Sequence, residues 1–143
     1  MIPDPVDVPG MPPPAGLYNH ALMAPAGSRL VAIAGQLAVD DAGEPLPGGF
    51  EDQMRAVVGQ LDRLLTGLGG DLRSVLKFTT YLVDPDDIAA FYDVRARLWP
   101  TWWPDGEGVP PNTLLVVQRL VRPEFRIEIE ALAVVPEPDG GAS

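Results

Sequence analysis

PPNTLLVVQRLVRPEFRIEIEALAVV, residues 110–135, is the stretch that decides how this chain folds. Its first half holds Leu114 to Val117, an unbroken apolar run, which predicts a strand covered on both faces. Its second half, Phe125 to Val135, alternates. Ile127, Ile129, Ala131, Ala133 and Val135 fall on one face of a strand, and Arg126, Glu128, Glu130, Leu132 and Val134 on the other. Two carboxylates share a face that turns apolar further along. A solvated edge uses mixed or basic charge instead, so Glu128 and Glu130 are candidates for a cleft.

Working outward, 143 residues suit a single domain, and 46% hydrophobic residues suffice for a core. No apolar run is long enough to cross a membrane, and no signal-peptide pattern opens the chain. Cysteine is absent, which removes disulfides, thiolate metal sites and a thiol nucleophile and favours a cytoplasmic setting. The formal charge of −10 repels phosphate backbones and disfavours nucleic acid as a partner.

Residues 1–16 carry six prolines and read as a disordered or extended arm. Residues 137–143 read as a disordered tail, leaving 17–136 as the folded domain. Tyr18 to Ala24 and Ser28 to Gln36 read as strands joined by a Pro-Ala-Gly turn into a hairpin. Gly35 closes the second strand, where a side chain would block a site. Phe50 to Leu68 is a helix, with apolar residues at steps of three and four and Gly69-Gly70 as its stop. Ser74 to Val83 is a strand rich in β-formers. Asp84-Pro85-Asp86-Asp87 opens a second helix. Its apolar face is Ile88, Phe91, Val94 and Leu98, with Arg95 and Arg97 read as lying outside it. A Pro- and Gly-rich loop with Trp102 and Trp103 leads into the closing strands. The order is β-β-α-β-α-β-β: an α+β chain with one mixed sheet and both helices on one face. The other face is apolar too, which predicts self-association through it.

Several phrases resemble the RidA family, also called YjgF, of enamine and imine deaminases. They are L-Y-N-H-A at 17–21, A-G-Q at 34–36, L-K-F-T-T-Y-L-V-D at 76–84, P-x-N-T at 110–113, V-Q-R-L at 117–120 and I-E-I-E-A at 127–131. The resemblance spans residues 17–135. It implies a chorismate-mutase-like homotrimer whose sheets line a central barrel, with a small-molecule site in each cleft between subunits. It implies hydrolysis of 2-aminoacrylate and related imines to a 2-oxo acid and ammonia, without cofactor or metal. By the same resemblance Tyr18 lines the pocket and Glu128 polarises the attacking water. The family's carboxylate-gripping Arg falls at Asn112, followed by Thr113. Its pocket Ser and Asn fall at Ala34 and Tyr92, and the loop bearing Trp102 and Trp103 is longer than usual. Losing the forked, charge-assisted pair that guanidinium makes with a carboxylate, and gaining aromatics, implies a bulkier or less acidic substrate than 2-aminoacrylate. Tautomerase, dehydratase or cyclase chemistry in the same cleft, and ligand binding without turnover, stand as alternatives. The sole histidine, His20, has no neighbours at metal-ligand spacing and reads as a hydrogen-bonded residue near an interface.

Overall fold

The structure is a computed structural model describing residues 1–138. Its main sheet orders four strands as β3 (Ser28–Gln36), β6 (Ile127–Pro136), β4 (Val75–Leu82) and β5 (Asn112–Val116). A separate two-stranded ribbon joins β1 (Asp4–Pro5) and β2 (Leu22–Met23). β6 pairs antiparallel with both β3 and β4, and β4 pairs parallel with β5. The central place of β6 explains its clean alternation: Ile127, Ile129, Ala131 and Ala133 are buried against helix α1 (Phe50–Gly67) and helix α2 (Asp87–Leu98).

Helix α1 begins where Asp52 accepts a hydrogen bond from the Gly49 backbone N–H at 3.1 Å. Its acidic first turn suits the positive end of the helix dipole. It stops at Gly69, whose φ of 89° fits a residue without Cβ. Gly70 N–H closes the last turn onto the Leu65 carbonyl at 2.9 Å. Met54, Val57, Val58, Leu61 and Leu65 form the stripe it buries. Truncating any of these leucines to Ala costs about 2–5 kcal/mol.

Two expectations are corrected, and the arm is placed. First, Tyr18–Ala24 does not form a hairpin with Ser28–Gln36. Asn19 carries the segment away, because its backbone and side-chain N–H groups both bond the Val109 carbonyl at 2.9 Å. Val109 leads into β5, the edge opposite β3. Only Leu22–Met23 forms a strand, and its partner is Asp4–Pro5 of the arm. The arm is accordingly extended and pinned, with Val6 N–H also bonded to the Ala21 carbonyl at 3.1 Å. Second, Leu114–Val117 is not covered on both faces within one chain. β5 is an edge strand: Leu114 packs against the core, whereas Leu115 and Val116 are exposed. The sheet stays open, with no closed barrel inside a single chain. Residues 139–143 of the expected tail lie outside the described residues.

Alternation leaves Leu30, Leu115 and Leu132 on the sheet face away from the helices, with Leu30 66% exposed and Leu132 40% exposed. Among the described residues no helix is long and apolar enough to cross a membrane.

Candidate functional site

Glu128 stands on the bare face of β6, opposite Tyr81 of β4. A register shift in β3 between Ile33 and Gln36 brings Gly35 against it. The approach is so close that a Cβ at residue 35 would stand 1.9 Å from Glu128 Oε2. Gly35 is thus the residue whose missing side chain houses the carboxylate. Val117, Arg119, Leu120 and Val121 complete an open cleft of about 490 Å³. Burial raises the Glu128 carboxyl above the usual carboxylate range, and the neighbouring charge of Glu130 adds to the effect. No cation among the described residues pairs with it. Arg126 is committed to Asp87 at 2.7 Å, and Arg119 donates to the Leu120 and Val121 carbonyls. Glu130 accepts the Tyr81 hydroxyl, a bond that raises the Tyr81 phenol. The two carboxylates therefore differ: Glu130 is tied down, and Glu128 is free to bind water and exchange a proton.

A second groove, about 570 Å³, opens at the helix-covered side, where α2 meets β5. Tyr18, Ile88, Tyr92, Arg95, Asn112 and Leu114 line it. Asn112 sits at the entry of β5, and its Oδ1 accepts the Thr80 hydroxyl at 2.8 Å. That bond orients the amide and leaves its N–H groups toward the groove. The Tyr18 hydroxyl accepts the Ala15 N–H at 3.3 Å, so its own proton remains to donate. Arg95 is the residue that sequence reasoning misplaced. It is 6% exposed, and its Nε has no hydrogen-bond partner. Its guanidinium lies 4.9 Å from the Tyr92 ring centre and 5.4 Å from that of Phe91. Each such cation–π contact is worth about 0.5–2 kcal/mol. Burial pushes the Arg95 guanidinium below its ordinary value.

Comparison with known proteins places this geometry. Residues 10–135 match the family model described as Endoribonuclease L-PSP. A RutC family protein of Pyrococcus horikoshii is 35% identical over 123 residues, covering 85% of this chain and 90% of that protein. The 2-iminobutanoate/2-iminopropanoate deaminase of Capra hircus is 30% identical, covering 86% and 83%. A Rid family protein of unknown function from Yersinia pestis, YyfB, superposes with a TM-score of 0.75 at 30% identity, over 94% of this chain and all of that one. The chain belongs to the RidA/YjgF family.

The RidA/YjgF positions identified in the sequence fall into two groups. Glu128 and Gly35 line the bare-face cleft, and Tyr18, Tyr92 and Asn112 line the α2 groove. The two share no residue and lie on opposite faces of one sheet. Four other positions line neither. Ala34 is exposed beside Gly35, and Thr113 is exposed on β5, paired with Thr79. Trp103 is buried and Trp102 is partly buried against the core. Both pack against Trp99, Trp103 tilted at 5.6 Å and Trp102 edge-on at 6.5 Å between ring centres. The loop that carries them thus packs into the core of its own chain, since neighbouring indoles gain by burial together. His20 bonds the Pro12 carbonyl at 2.7 Å. No group of three potential metal ligands occurs among the described residues.

Proposed function

We propose that this chain hydrolyses a reactive imine, or the enamine in equilibrium with it, to a carbonyl compound and ammonia. The observation that carries this reading is Glu128: a half-buried carboxylate, raised by its surroundings and without an ion-pair partner among the described residues, in a notch made by Gly35. A carboxyl tuned toward neutrality both accepts and returns a proton at working pH. Glu128 takes a proton from water as the oxygen bonds to the imine carbon. It returns the proton to nitrogen, giving a carbinolamine, and then carries the hydroxyl proton to nitrogen as the C–N bond breaks, so that C=O and NH₃ remain. Imine and water balance carbonyl compound and ammonia, and no redox partner enters.

The working unit in this reading is a homotrimer. Glu128 and the Tyr18–Tyr92–Asn112 groove lie on opposite faces of the sheet, so one copy cannot offer both to one substrate. A neighbouring copy docked on the bare face, over Leu30, Leu115 and Leu132, covers apolar surface and brings its own groove to this Glu128. A pocket walled by Tyr18 and Tyr92 suits a substrate larger than 2-aminoacrylate.

The test generates 2-imino acids in situ, from threonine with a dehydratase and from larger amino acids with an amino-acid oxidase, and traps them with semicarbazide. The protein is expected to suppress semicarbazone formation, most strongly for the larger imines, and Glu128→Ala to abolish the effect. Sedimentation is expected to give three copies per particle. Unchanged trapping across the whole series, or a monomer that is fully active, overturns the proposal.

A further inference from the structure

Arg95 poses a physical problem that the rest of the chain does not solve. A guanidinium stays charged under any ordinary condition, and a buried charge without a partner is strongly disfavoured. Six other arginines meet an acid: Arg29, Arg55, Arg73, Arg97, Arg122 and Arg126. The chain has 20 acidic residues against 10 basic ones, so carboxylates are plentiful. None among the described residues pairs with Arg95, although it is 6% exposed. Among the described residues, the Phe91 and Tyr92 rings, the Tyr18 phenol and the negative end of α2 favour its charge.

Its surroundings are those of a receptor. Arg95 is the only charged side chain lining the α2 groove. The backbone closes in beside it: a Cβ at Gly16 would lie 3.6 Å from Arg95 Nη2. The Tyr18 hydroxyl and the Asn112 amide, both lining the same groove, supply neutral donors. A cation held without a counter-ion, with neutral donors in the same groove and aromatic walls, is built for an anion that arrives from outside.

We propose that Arg95 holds the anionic end of the ligand: a small carboxylate whose apolar or aromatic tail lies along Tyr18 and Tyr92. In identifying that ligand as the imine to be hydrolysed, the inference rests on the deaminase reading above. It also replaces the expectation, drawn from Asn112, of a less acidic substrate. The charge is supplied from α2 instead of β5, and the substrate enters with its carboxylate beside the helix.

The experiment measures binding without turnover. Benzoate and its neutral isostere benzamide are titrated into the full chain, in its native oligomeric state, by isothermal calorimetry. Wild type is expected to prefer benzoate at least tenfold. Arg95→Met, similar in length and uncharged, is expected to lose that preference while still binding benzamide, and Arg95→Lys to keep part of it. Circular dichroism and thermal melting check folding. Arg95→Met is expected to melt no lower than wild type, because it removes an unpaired buried charge. No preference in wild type, or a preference that survives in Arg95→Met, overturns the proposal. A lower melting temperature in Arg95→Met, with no benzoate preference in the wild type, assigns Arg95 to a structural pair between copies and also overturns it. The two readings fail separately. Arg95-dependent benzoate binding without imine hydrolysis refutes the deaminase, whereas hydrolysis with unchanged KM in Arg95→Met refutes the carboxylate clamp.

Discussion

Gly35→Ala is the sharpest perturbation the geometry offers. The new Cβ would meet Glu128 Oε2 at 1.9 Å, Cδ at 2.7 Å and Cγ at 2.9 Å, where ordinary contact begins at 3.4 Å. The carboxylate must therefore retreat by 3.4 − 1.9 = 1.5 Å. What gives way is the end of a flexible side chain, so the fold loses little. An off-rotamer Glu costs about 0.5–1.5 kcal/mol, and replacing a strand glycine returns about 0.5–1 kcal/mol. Stability stays within about 1 kcal/mol of wild type, a Tm shift of no more than about 4 °C for a chain of this size. Catalysis does not tolerate the same movement, since a misplacement of about 1 Å costs on the order of 10²-fold. We expect kcat/KM for imine hydrolysis to fall by about two orders of magnitude in a protein that melts normally. The Glu128 carboxyl, pushed out toward solvent, should also titrate closer to its ordinary value, which carbon-detected NMR reads directly without a substrate. Wild-type turnover in Gly35→Ala, together with an unchanged Glu128 titration, would refute the claim that this glycine houses the carboxylate.

Glu128→Gln tests the same group through stability. Its folded-state pKa is raised, so the native state favours the protonated form. That contribution is present below the unfolded value of about 4.3 and is lost as pH rises through the folded value. Gln does not titrate, so its Tm relative to wild type should improve as pH rises from about 3.5 through the folded value and then level off; a pH-independent difference would count against a raised pKa. Thr80→Val removes the hydroxyl that orients Asn112 while keeping the buried shape. Its expected effect is a loss of about 1 kcal/mol in stability, with a rise in KM and little change in kcat. An unchanged KM would mean that the Asn112 amide does not touch substrate.

How much of this was legible beforehand depends on what each signal reports. Strand β6 and helix α1 were readable because each is covered by the chain itself. Ile127–Ala133 packs at period two beneath α1, and Met54–Leu65 at period 3.6 above it, so pattern and burial coincide. Edges were not readable. An apolar run such as Leu114–Val117 says that a surface becomes buried, not by what, and in one chain Leu115 and Val116 face outward. The Tyr18–Ala24 segment alternates like a strand, but which edge it joins is decided by the bonds from Asn19 to the Val109 carbonyl, ninety residues away. The tryptophans could not be placed for a similar reason: a long loop can enlarge a pocket or fill a core, and the contacts of Trp102 and Trp103 with Trp99, one turn earlier, are not written in the sequence pattern.

Arg95 is different, because its signal was present and was read by residue type instead of by position. Ile88, Phe91 and Leu98 define a stripe on α2, and Arg95 lies four residues beyond Phe91 and three before Leu98. Helical spacing therefore puts it on the buried stripe. The expected exposure rested only on the habit that arginines face water. A charged residue on an apolar stripe implies a partner: an acid within the chain, an acid on another copy, or a ligand. The first is missing among the described residues, and the benzoate titration separates the other two. In the proposed clamp, a guanidinium on α2 does what the resemblance expects of an arginine on β5. The groove needs one guanidinium facing inward, and α2 and β5 both border it, so either element can carry it.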